Sequence, residues 1–75
     1  MNRLERTRIR SKLHKAEVAR RANISRSHYG RIEAAEDRAS FEVATRIAAV
    51  FDNKISPLHI IAIGPVPDRT RKKAA

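Results

Sequence analysis

Residues 15–33 read Lys-Ala-Glu-Val-Ala-Arg-Arg-Ala-Asn-Ile-Ser-Arg-Ser-His-Tyr-Gly-Arg-Ile-Glu, and they decide the fold. Over 15–22 the apolar positions Val18, Ala19 and Ala22 recur at three and four residues, the spacing of one helix face. Asn23 marks a stop, because Asn tolerates the left-handed conformation that ends a helix and turns the chain. Ile24 supplies an apolar plug for the turn. Ser25 is a good cap for a second helix at about 26–34, since its hydroxyl can accept an orphan backbone N–H. Within that helix Tyr29 and Ile32 are three apart and can share the inner side. Arg26, Ser27 and Arg31 then fall largely on other faces.

Working outward, helical periodicity continues and strand signals are nearly absent. A first helix is expected at about 3–12, with Leu4 and Ile9 inward, Leu13 closing its end and Arg3, Arg6 and Arg10 in water. Ser40 caps a fourth helix at about 41–51. Its set Phe41, Ala44, Ile47, Ala48 and Phe51 makes one continuous apolar stripe. Ser56 and Pro57 open a fifth helix, and Gly64, followed by Pro65, is expected to be its left-handed stop. The fifth helix is apolar almost all round, so one side covers the core and the other, through Leu58, Ile60, Ile61 and Ile63, is expected to meet a second copy of the chain. A fully buried helix or a strand through 60–63 is the competing reading. The expected architecture is all-α, a five-helix bundle over residues 1–64, with a flexible, disordered basic tail at 65–75.

Composition narrows the function. The sequence has 75 residues, 17 Lys+Arg, 8 Asp+Glu, no Cys and a formal net charge of +9. This length fits one small domain with a small core. It leaves no room for deep substrate pockets, and without Cys there is no disulfide framework or zinc-thiolate site. No apolar run is long enough to span a bilayer, and the charged N-terminus lacks the apolar stretch of a signal peptide. His14, His28 and His59 have no metal-ligand spacing, and neither a Gly-rich phosphate loop nor a nucleophile–base arrangement is recognisable. No metal, cofactor or enzymatic activity is therefore expected. The charge is uneven. Residues 1–31 hold ten basic groups and two acids, residues 32–68 hold three and six, and residues 69–75 add four basic groups. That bias suits a polyanion-binding face opposite a neutral-to-acidic one.

A short helix, a turn at 23–25 and a second helix have helix-turn-helix spacing. Packed nearly at right angles, the second helix stands out as a ridge that fits the DNA major groove, about 12 Å wide, while the first lies across the backbone. The small Ala19 permits a close crossing. At this point the sequence resembles the lambda-repressor/Cro (XRE) family. The likeness runs through 15–33, continues over Ser40–Phe51 like the family's fourth helix and reaches Ile55–Leu58 like its fifth, covering about residues 4–60.

The resemblance implies a five-helix DNA-binding domain, usually dimeric, that regulates transcription. It implies base contacts from Arg26 and Ser27 at the start of the recognition helix, with Arg31 and, more weakly, His28 beside them. It implies phosphate contacts from Ser25 and from Lys15, which stands where the family usually has Gln. Arg20 and Arg21 on the second helix are assigned to phosphate or solvent. Arg8 and Glu33 match an Arg–Glu pair that the family often keeps between its first and third helices. Three further positions depart from the pattern. Asn23 and Ala35 stand where the family usually has Gly, and Ala39 where it has Pro. Gly30, inside the recognition helix, costs ~1 kcal/mol of helix stability relative to Ala. Either a side chain there would clash with DNA, or the glycine is ordinary drift.

The expectation is a cytoplasmic, sequence-specific regulator, a repressor or autoregulator, that binds a palindromic operator as a homodimer. Its partners would be double-stranded DNA and itself, with no membrane. The alternative is an antitoxin or similar module whose apolar 55–67 segment binds a protein partner. A third reading is sequence-neutral compaction of nucleic acid.

Overall fold

The computed structural model describes residues 1–65. The expected tail therefore lies, from residue 66 onward, outside the described residues. Five helices follow one another: α1 (Arg3–Arg10), α2 (Lys15–Ala22), α3 (Arg26–Glu33), α4 (Phe41–Val50) and α5 (Pro57–Ile63). The described residues contain no strand.

Polar side chains start four of the helices. Asn2 Oδ1, Ser25 Oγ, Ser40 Oγ and Ser56 Oγ accept hydrogen bonds from the N–H groups of Glu5, His28, Val43 and His59. Each satisfies one of the donors that a helix N-terminus leaves without an intrahelical partner. The α2 N-terminus differs: His14 occupies the cap position and makes no side-chain capping bond. Asn23 ends α2 at φ 61°, ψ 44°, the left-handed conformation expected of it. Arg46 Nε, from α4, donates to Ala22 O at 2.8 Å and closes the C-terminal end of α2.

All five helices feed one core. Leu4, Val18, Tyr29, Ile32, Ile47 and Ile60 are fully buried or nearly so, and Phe51 and Ile55 join them from the α4–α5 link. Four expectations need correction. Ile60 belongs to the chain's own core, at 0% exposure, so it is not available for a dimer contact. Ile9 and Phe41 are 48% and 65% exposed rather than inward-facing. At about 100° per residue, Ile9 lies about 140° around α1 from the buried Leu4, and Arg8 takes the position beside Leu4 instead. Phe41 shares the helix phase of Ala44 and Ala48, but it is the first residue of α4, and its side chain tilts past the end of the packed stripe. Gly64 follows α5 in extended backbone, φ −70°, ψ 174°, not as a left-handed stop. Its glycine is required by proximity. A Cβ there would stand 2.8 Å from Arg38 Cα and 3.1 Å from Asp37 O, so the end of α5 can press against the α3–α4 connector.

That connector contains Ala35 at φ 65°. A left-handed alanine costs roughly 1–2 kcal/mol. The turn is held by Glu36 N–H and Asp37 N–H, which both donate to Arg31 O at 2.8 and 3.2 Å. Ala39, where the family usually has Pro, is buried.

Candidate nucleic-acid interface

The base of α3 is fixed by one ionic cluster. Arg8 donates from Nε to Glu33 Oε1 at 2.9 Å and from Nη2 to Oε2 at 3.2 Å. Its Nη1 donates to Leu13 O at 3.0 Å. Tyr29 Oη, one turn earlier on α3, donates to Glu33 Oε1 at 2.7 Å. Asn2 Nδ2 donates to Glu33 O at 2.6 Å. Glu33 is only 4% exposed, yet no buried side-chain polar atom among the described residues lacks a partner. The hydrogen bond to Glu33 raises the Arg8 pKa above its ordinary value, against the opposing effect of desolvation. Burial, reinforced by the bond to Glu33, raises the Tyr29 pKa well above the usual phenol range. The cluster ties α1 to the C-terminal end of α3 and fixes which side of α3 faces outward.

With Tyr29 and Ile32 inward, Arg26, Gly30, Ser27 and Arg31 fall within about 140° of one another on the other side of α3. Arg26, Ser27 and Arg31 are exposed. Among the described residues Arg26 has no carboxylate within ion-pair distance, so its five N–H donors remain available. Arg31 is less free, because its Nε reaches Asp37 Oδ2 at 3.4 Å. His28 sits at the edge of this face and is half-buried. Gly30 lies between Arg26 and Arg31 on the face, and a Cβ added there would meet nothing within 4 Å. Packing within the chain does not require that glycine.

The expected phosphate contacts divide into two groups. Lys15 is exposed at the start of α2, beside a helix end that no side chain caps. Such an end favours anions through its free N–H groups and its dipole. Ser25 accepts from His28 N–H, which leaves its own O–H free to donate. Arg20 and Arg21, in contrast, are both drawn to Glu17, at 2.6 and 2.8 Å. Hydrogen bonds from Arg20 and then Arg21 hold the Glu17 carboxyl below its ordinary value. These two arginines form a surface network with Glu17 and are not presented as free cations.

Two features went unread in the sequence. Tyr29 and Glu33 stand at i and i+4, a spacing that places them on one side of a helix. The Arg31–Asp37 pair had no such signal, because the connector's left-handed turn brings Asp37 back.

The helix-turn-helix family model matches residues 4–58, most of the chain. The protein belongs to the helix-turn-helix family of lambda-repressor/Cro (XRE) type and is a DNA-binding regulator. No curated protein and no solved structure gives a match. No described helix is long and apolar enough to cross a membrane.

Proposed function

We propose that the protein is a sequence-specific repressor or autoregulator that works in the cytoplasm by occupying operator DNA, without catalysis. The outward side of α3 carries this reading. Arg26, at the N-terminal end of the helix and without an ion-pair partner among the described residues, is suited to bidentate hydrogen bonding with the O6 and N7 of guanine. Ser27 and Arg31 flank it, and Gly30 lets the helix backbone come close to the base edges. Lys15 and Ser25 hold phosphates on either side of the turn and so set the register of α3 in the groove.

The functional unit in this reading is a homodimer formed through α5. Leu58 is 70% exposed, and Ile61 and Ile63 keep part of their surface while packing against the core. A two-fold pair of recognition helices calls for a palindromic operator with half-sites about 34 Å apart.

Selection of bound sequences from a random DNA pool tests the reading. A palindrome with that spacing is expected. Recovery of no preferred sequence would replace it with sequence-neutral compaction. Sedimentation tests the dimer: a stable monomer at micromolar concentration would favour an antitoxin-like module that offers Leu58 to a different protein.

A further inference from the structure

An open groove of about 410 Å³ runs along α1 and is lined by Arg3, Arg6, Thr7, Arg10, Ser11 and Lys54. Its lining brings four cations together. Arg8, Arg20, Arg21, Arg31 and Arg46 each lie within 4.0 Å of a carboxylate. Among the described residues none of Arg3, Arg6, Arg10 and Lys54 does. Four positive charges therefore converge without neutralisation.

The groove also faces away from the recognition helix. Arg8 marks the side of α1 that turns to α3, because it binds Glu33 there. At about 100° per residue, Arg3, Arg6 and Arg10 lie about 140–160° around α1 from Arg8. Helix phase thus places these three arginines on the side of α1 opposite Glu33.

The lining identifies the chemistry of the occupant. It contains three guanidinium groups, suited to bidentate bonding with phosphate oxygens, and one ammonium. It contains no apolar side chain. A membrane-inserting face needs apolar groups, and a groove for an amphipathic or proline-rich peptide needs apolar anchors. A hydrated sugar–phosphate backbone needs neither. The Thr7 and Ser11 hydroxyls are committed to Arg3 O and Thr7 O, at 2.8 and 2.9 Å, so the cations would carry the binding.

We propose that this groove is a second, sequence-neutral site for a DNA backbone, which lets the protein hold one duplex on α3 and another behind α1. The inference rests on the reading of α3 as the first DNA site. The test uses the full chain, a bead-tethered duplex from the random-pool selection, and a short fluorescent duplex of unrelated sequence. Wild-type protein is expected to recruit the fluorescent duplex to the beads. The triple variant Arg6→Gln/Arg10→Gln/Lys54→Gln, which changes only exposed side chains, should lower recruitment about 10-fold or more. Its affinity for the tethered duplex alone should change by less than about 2-fold. Three results would overturn the proposal: no recruitment by wild-type protein, equal recruitment by the variant, or an equal loss of affinity for the tethered duplex. Equal recruitment would mean that paired recognition helices do the bridging. Equal loss would mean that the groove meets the same duplex as α3. If the pool yields no preferred sequence, the reading of α3 fails separately, and any tethered duplex still scores the groove.

Discussion

Arg8 and Glu33 meet through two near-parallel hydrogen bonds, 2.9 and 3.2 Å long, that join the first helix to the end of the third. Their side chains are 12% and 4% exposed, so neither charge has ready recourse to water. Removing one partner strands the other. Arg8→Ala should cost about 3 kcal/mol, read as a lower urea midpoint. Replacing both, as Arg8→Met with Glu33→Leu, should recover part of that loss, because no uncompensated charge is then buried. A double variant no more stable than Arg8→Ala would show that the stranded Glu33 charge is not the source of the loss.

The single tyrosine gives the fold a pH limit on the alkaline side. In the unfolded chain its phenol ionises near the ordinary value of 10, but in the folded chain burial and Glu33 keep the proton on. Above about pH 10 the unfolded state thus binds fewer protons than the native state, and stability falls as pH rises, by up to about 1.4 kcal/mol per unit. Below that pH the contribution is fully present. Urea midpoints across this range should fall more steeply for the wild type than for Tyr29→Phe. Equal slopes would mean that Tyr29 ionises freely in the native state.

Much of the fold was legible because helix boundaries are local. Ser25, Ser40, Ser56 with Pro57, and Asn23 announced starts and stops from their own chemistry, and the structure uses each of them so. What failed depended on distant parts of the chain. Gly64 can mark a left-handed stop or a close contact, and only the position of Arg38 decides between them. Ile60 lies in a segment apolar on all sides, where periodicity does not say which side is inward. Ile9 lost its inner place because Arg8 turns toward a carboxylate 25 residues away. The Arg8–Glu33 pair itself was visible only through family resemblance. At the interface, Arg26 could be placed from helix phase, whereas the drawing of Arg20 and Arg21 to Glu17 required side-chain geometry.

Ala35 holds φ 65°, a conformation that glycine adopts without the penalty of a Cβ. Ala35→Gly should raise stability by about 1 kcal/mol, visible as a higher denaturation midpoint with an unchanged denaturant slope. A loss of stability would mean that the Ala35 methyl group makes a contact worth more than the strain.

Gly30 should separate folding from binding. Gly30→Ala adds a methyl group into open space on the outward side of α3. The variant should be more stable by about 1 kcal/mol and should bind DNA several-fold more weakly. Higher stability with undiminished affinity would show that the glycine has no part in the approach to the groove.

The central claim is that α3 reads bases, and Arg26→Ala tests it most directly. Affinities of the wild type and variant should be measured on the selected operator and on every single-base-pair change of one half-site. The account predicts a loss of about 1–3 kcal/mol on the operator and a relaxed preference at one base pair, with discrimination elsewhere retained. A uniform weakening on all sequences, with every preference intact, would contradict it and make Arg26 a phosphate contact.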